Sequence, residues 1–274
     1  MLVALQRVLA NLGIHTEINT FLVLFGLIFA RLATAFSLTP FLGGRSVAGR
    51  IKVGLAVVIS ALLYTSVAPD SNLGDLNGLR VVGLLVKEAV IGATIGFLSQ
   101  LVFQSVQMAG AMMDYSRGMS QATFLAPQLE TNVSLLGQLQ LQAALVLFLV
   151  LNGHLLFVKA LATSFHNVPL LEFPKFSVGT LAGMEQMAHY TSESIRIALQ
   201  LSAPALLALF LVDVSFGMIG KVASGIRVHT ESQPVKALLG LVVVLFALGY
   251  ILNRMPGYFA DMLQMVEQFT RNLR

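Results

Sequence analysis

The sequence predicts an all-α integral membrane protein, and three observations carry that prediction. Of its 274 residues, 56% are hydrophobic and only 11% charged, whereas an average soluble domain carries about 25% charged residues. The mean hydropathy is +0.81. The apolar residues fall in successive long runs with no polar stretch between them large enough to form a soluble domain, so one membrane domain over residues 1–274 is expected. In lipid, backbone groups must be paired within one segment or around a closed barrel, and the alternation of barrel strands is absent. Strings such as VVIS and LVVVLF favour strands locally, but the length of the runs containing them outweighs that preference.

Six apolar segments follow in order, at about 19–42, 51–68, 79–106, 135–165, 195–220 and 235–254. Each is near or above the roughly 20 residues that a spanning helix needs. The connections PFLGGRSVAGR, APDSNLGDLNG, SRGMSQATFLAPQLETN, NVPLLEFPKFSVG and GKVASGIRVHTESQP are rich in glycine and hold most of the eight prolines, which punctuate helices and not domains. Arg45, Arg50 and Lys52 lie in or beside the first connection, and Lys221, Arg227 and Lys236 in or beside the fifth. The second, third and fourth have Arg80, Arg117 and Lys175. The positive-inside rule then puts the first, third and fifth connections in the cytoplasm and both termini outside. The opening stretch MLVALQRVLANLGIHTEIN lacks a small-residue cleavage pattern, so the first apolar segment is expected to act as an uncleaved insertion signal.

The last stretch, 256–274, places Tyr258, Phe259, Met262, Met265, Val266 and Phe269 at helical spacing, with Asp261, Glu267 and Arg271 elsewhere. This pattern predicts an amphipathic helix for an interface or a partner. With no Trp, the interfacial belt relies on Tyr64, Tyr190, Tyr250, Tyr258 and phenylalanines;. The net charge of +4 comes from scattered residues and not from a basic run, which argues for orientation in a membrane and against nucleic-acid binding.

No residue pattern points to an enzyme. GxxxxGK[ST], GxGxxG, HExxH and GxSxG are all missing, so no catalytic group, cofactor or metal site is expected. The absence of cysteine removes disulfides and thiolate ligands;. His15, His154, His166, His189 and His229 have no ligand spacing beyond Glu185 four residues before His189, and a single such pair is expected by chance.

Charges inside apolar runs carry more weight, because a central ionised side chain costs roughly 2.5 to 3.5 kcal/mol on the insertion scale. Arg31, Glu88, Lys159 and Asp213 are such charges. Glu88, Gly92 and Gly96 recur at i, i+4 and i+8, which gives one helix face an acid and two gaps for a close neighbour. Asp213, Gly217 and Lys221 repeat the spacing, ending in a base. Glu88 and Asp213 could relay an ion, or pair with Arg31 or Lys159 at helix contacts. Met108, Met112, Met113 and Met119 lead into a Gly- and Pro-bounded polar stretch; they could form a compliant seal or simply fill gaps.

Several strings taken together resemble the FliR/SctT family, the export-apparatus subunit of bacterial flagella and virulence type III secretion systems. They are GRIKVGLA at 49–56, KEAVIGATIGF at 87–97, DYSRGMSQATFLAPQ at 114–128, LFLVLNGHLLFVKAL at 147–161 with FHNVP after it, APALLALFLVDVSFGMIGK at 203–221 and PVKALLG at 234–240. Asn152-Gly153-His154 looks like the flagellar branch, and Asp114 with Arg117 and Gly118 like the injectisome branch. RVHTESQP at 227–234 and Ala48 depart from the family pattern.

The resemblance implies helical hairpins packed into a hetero-oligomeric export gate in the bacterial inner membrane, at the flagellar basal body or injectisome base. FliP- and FliQ-type subunits would be its neighbours, an FlhB-type subunit would dock at the entrance, and unfolded polypeptides would pass through. A loop at about 114–133, including Gly118, Met119, Ser120, Gln121, Ala122, Thr123, Phe124 and Pro127, would plug the closed pore. Small-residue faces such as Glu88-Gly92-Gly96 would then meet sibling subunits. The rival reading is a small ion-coupled secondary transporter using Glu88 and Asp213, for which inverted repeats would be the signature.

Overall fold

In the computed structural model the described residues are 18–43, 48–67, 78–118, 134–174, 176–222 and 228–273. Among them the regular elements are all helices: α1 (Ile18–Leu38), α2 (Pro40–Gly43), α3 (Gly49–Val67), α4 (Gly78–Ser116), α5 (Leu135–Val150), α6 (Gly153–Asn167), α7 (Phe176–Val222) and α8 (Val228–Asn272). Five helical stretches are long and apolar enough to cross a membrane: Asn19–Leu38, Gly49–Val67, Gly78–Ser116, Glu185–Val222 and Pro234–Asn272. The protein is an all-α integral membrane protein, because a helix pairs its own backbone groups wherever lipid offers no partner.

The fourth apolar segment, expected at 135–165, is not one straight span. It breaks at Leu151 and Asn152, and α5 and α6 meet at a bend of 73°. Asn152 supplies the break with φ of 58°, a left-handed conformation that Asn tolerates better than most residues. The Asn152 N–H turns back to Leu149 O at 3.1 Å, and the Leu151 N–H reaches Leu147 O at 2.9 Å. Gly153 is needed next, since a Cβ there would overlap the ring of Phe148.

The C-terminal stretch 256–272 is the end of α8 and not a separate short helix, with Pro234 and Pro256 both inside α8. Its apolar face is covered by the chain itself, for Phe259, Met262, Val266 and Phe269 are all buried.

The chain forms two compact units. The first comprises residues Met1–Gln100, His154–Met187 and Met262–Arg274, and the second Leu101–Gly153 and Ala188–Asp261. In the first, Leu24, Leu27, Ile28, Leu32 and Phe36 of α1 are fully buried, as are Leu84, Ile95 and Leu98 of α4 and Phe157 and Leu161 of α6. Phe41 sets its edge against Phe157 at a centroid distance of 5.1 Å, and Phe21 packs on Tyr64 at 4.9 Å.

The core of the second unit is built around three rings. Phe148 lies 5.4 Å from Phe103 and 5.0 Å from Phe259, in edge-on arrangements, which are favoured by the aromatic quadrupole. Phe103 and Phe259 are 5.5 Å apart. Ile197, Leu201 and Leu209 of α7 and Ala247, Ile251 and Met255 of α8 complete this core. Large apolar side chains also point outward, among them Leu62, Leu207, Leu238 and Phe246. Exposed apolar surface of that kind is suited to lipid or to other membrane subunits.

Candidate functional site

Arg31 and Glu88 are both fully buried and form an ion pair through Arg31 Nε and Glu88 Oε2. The guanidinium uses its remaining donors nearby: Nη1 donates to Ser164 Oγ at 3.0 Å and Nη2 to Val168 O at 2.9 Å. Its Cζ stands 4.1 Å from the centroid of the Phe165 ring, so one planar fork ties α1 to α4 and to the end of α6. Lys87 adds a second cation. Its Nζ lies 2.7 Å from Glu88 Oε1 and donates to the carbonyls of Pro169, Leu170 and Glu172 at 2.8, 2.8 and 2.9 Å. An ammonium has three hydrogens. All three go to carbonyls, and Glu88 Oε1 feels the charge while accepting no hydrogen bond in this structure.

The cluster therefore holds two cations against one carboxylate, with backbone carbonyls of the turn after α6 absorbing the excess positive field. Such an arrangement fixes a turn and two helices together, with Glu88 Oε2 bonded to Arg31 and Oε1 facing the Lys87 charge. Lys87 and its carbonyl partners were missed by reading the sequence, although Lys87 stands beside Glu88 in the same apolar run.

Gly92 and Gly96 lie on the same face of α4 as Glu88. A Cβ on Gly92 would overlap Arg31 O and Thr34 Oγ1, and one on Gly96 would stand 2.7 Å from Ala35 O and 2.9 Å from Leu38 Cβ. The gaps are thus filled by α1 of the same chain and not by a sibling subunit, correcting that part of the sequence-based expectation. The physical reason is that Arg31 and Glu88 already bring α1 and α4 together at this level.

Asp213 is placed differently. It pairs with Lys236 of α8, and its side chain is 47% exposed against 12% for Lys236. Lys159, the expected alternative partner, is exposed on α6, and a Cβ on Gly217 would meet nothing within 4 Å among the described residues.

Among the methionines, Met113 is buried and accepts from Gln140 Nε2 at 3.7 Å, while half-buried Met112 accepts from Ser202 Oγ at 3.6 Å. Met108 is half-buried. Gly118 closes α4 with φ of 80°. Met119, Ser120, Gln121, Ala122, Thr123, Phe124 and Pro127 lie outside the described residues.

The residues that flank them are firmly held. Asp114 is buried near the end of α4 and pairs with Arg117. Its Oδ2 accepts from Ser134 Oγ at 2.6 Å and from the Leu136 N–H at 2.8 Å. Ser134 in turn accepts from the Gly137 N–H at 2.8 Å, capping α5;. The helices also cross closely here, where a Cβ on Gly137 would stand 2.7 Å from Gln107 O. Asp114 thus joins the two helix ends that flank the stretch 119–133, a link that sequence spacing of 20 residues gives no signal for. Among the described residues no group of three or more His, Cys, Asp or Glu stands together.

Residues 22–262 match the family described as bacterial export proteins, family 1. The chain belongs to that family. Flagellar biosynthetic protein FliR of Bacillus subtilis (strain 168) is 27% identical over 232 residues, covering 83% of this chain and 86% of that relative. Yop proteins translocation protein T of Yersinia pestis is 26% identical over 229 residues, covering 83% and 87%. Secretion system apparatus protein SsaT of Salmonella typhimurium is 30% identical over 176 residues, covering 63% and 65%. This export-family protein thus resembles both flagellar and secretion relatives. Arg31, Lys87, Glu88, Gly92, Asp114, Asp213 and Lys236 all lie in its family-matched region.

Proposed function

We propose that this protein is a membrane-embedded subunit of a type III export gate, assembled in the bacterial inner membrane with FliP-, FliQ- and FlhB-type subunits, through which unfolded polypeptides pass. The observation that carries the reading is the family match across residues 22–262, joined to relatives named for flagellar biosynthesis and for translocation. Broad apolar faces on α3, α7 and α8 support a place among other membrane subunits;.

Residues 118–132 are the proposed plug of the closed pore, since Asp114–Ser116 at the start of the expected loop 114–133 are the end of α4. Gly118 and Pro127 near its ends, small polar side chains and one formal charge at Glu130 in residues 118–132 suit a segment that enters and leaves a pore at little cost. Met108 and Met112, both half-buried, would line the approach as a compliant seal, whereas Met113 is buried within the chain;. Asp114 would fix where the segment starts and ends.

The transporter reading is disfavoured by the state of its two acids. Glu88 faces two cations and Asp213 faces Lys236, which leaves little negative field for a coupling cation. The test is deletion of residues 120–126 in the intact assembly, followed by measurement of ion conductance across the membrane. The expected result is a leak with assembly preserved; normal conductance with normal assembly removes the plug assignment.

A further inference from the structure

Two faces of this chain share a plan: an acid, then a glycine one turn later, on a membrane-spanning helix. On α4 the plan is complete within the chain, since Arg31 of α1 meets Glu88 and the α1 backbone lies against Gly92. On α7 the equivalent face is exposed. Asp213 is 47% exposed at its side chain despite Lys236, and a Cβ on Gly217 would meet nothing within 4 Å among the described residues. Phe210, Val214 and Met218 around them are 61%, 42% and 65% exposed. Phe210, Asp213, Val214 and Gly217 fall at i−3, i, i+1 and i+4, so they share one side of the helix.

Asp213 stands nine residues before the end of α7 at Val222, about 13 Å along the axis. A half-exposed carboxylate on a helix apolar enough to span a membrane is costly wherever it meets hydrocarbon;, and a nearby lysine already committed to the pair offsets only part of that cost. Protein, not lipid, is the neighbour that lowers this cost. A second copy of the chain is a poor occupant, because symmetric contact on this face brings one half-exposed carboxylate towards another.

We infer that the Asp213–Gly217 face of α7 seats a membrane-spanning helix of a different subunit, one that packs its backbone closely against Gly217 and presents a hydrogen-bond donor or cation to Asp213. The inference rests on the reading of the chain as one subunit of a larger export assembly. Its chemistry is that of Arg31 and α1 on Glu88 and Gly92, supplied from another chain.

A photo-crosslinking amino acid placed at Phe210 in the assembled complex, in native membranes, tests it. The expected adduct is with a helix of another subunit, and Gly217→Leu should reduce that adduct at least several-fold. Because a Cβ at Gly217 meets nothing within 4 Å among the described residues, the same variant purified alone should keep the thermal unfolding of the parent, unlike a substitution at Gly92. An Asp213→Asn variant should weaken the adduct as well. Adducts only with lipid, adducts only with a second copy, or an undiminished adduct in Gly217→Leu would each overturn the inference. Affinity purification of the parent chain separates this from the wider reading: recovery of export subunits with a lipid-only adduct removes the docking face alone. Failure to recover any export subunit removes the wider reading, while the Phe210 adduct still decides the face.

Discussion

Arg31 on α1 and Glu88 on α4 form a fully buried ion pair, and each of the arginine's two terminal nitrogens also donates to the end of α6 or the turn after it. Taking two charges out of water is costly, and it is tolerated here because both the guanidinium and Lys87 find further acceptors. The pair thus acts as a fastener between α1, α4 and the end of α6.

Removing one partner should therefore cost more than removing both. Glu88→Ala leaves two buried cations and is expected to destabilise the detergent-purified chain by about 3 to 5 kcal/mol. Arg31→Lys should fail to restore the parent, since an ammonium cannot reproduce the planar fork to Glu88, Ser164 and Val168;. Thermal unfolding of Arg31→Met, of Glu88→Leu and of the double variant carrying both gives the coupling directly. Additive losses would show that the pair is not a unit.

Gly92→Leu and Gly96→Leu should block assembly, and the structure makes the reason internal: the side chain would strike the α1 backbone. The variants are expected to yield misfolded or proteolysed subunit even without partners. Gly26→Ala and Gly54→Ala are the controls, because a Cβ there meets nothing within 4 Å among the described residues and alanine is the better helix former by about 1 kcal/mol. Recovery of an intact complex with its FliP- and FliQ-type partners from Gly92→Leu would refute the close-approach argument.

Asp114→Ala should loosen the start of α5. It removes the acceptor for the Leu136 N–H and the Ser134 hydroxyl and leaves Arg117 without its carboxylate, a loss of about 1 to 3 kcal/mol for a buried polar group left unpaired. Hydrogen exchange followed at residues 135–138 should quicken, while exchange in the α1 to α4 contact stays as in the parent. Unchanged protection at the start of α5 would mean that the Ser134 cap holds without Asp114.

Much of the architecture was legible because membrane chemistry constrains it so strongly. The apolar segments became helices, since lipid offers a backbone no other partner, and the Glu88-Gly92-Gly96 face was visible from its spacing alone. Other features were not legible for identifiable reasons. Continuous hydropathy concealed the bend at Asn152, because a single left-handed residue alters direction without altering polarity. The apolar segment is expected to end at about 254 with the C-terminal stretch a helix of its own, yet α8 continues through Pro256, as packed helices tolerate a proline that an isolated one would not.

What the sequence determined by itself is the class of solvent, the helices and the family, for these depend on composition, length and ordered strings of residues. What only the tertiary structure decided is who meets whom. Glu88 could have paired with a sibling subunit, and it pairs with Arg31 and Lys87; Asp213 could have paired with Lys159, and it pairs with Lys236. Periodicity places a charge on a helix face, but the partner comes from another part of the chain, 57 residues away for Arg31 and Glu88. Burial then selects the pairing, because an unpaired charge is intolerable there and each cation must find its acceptors in three dimensions.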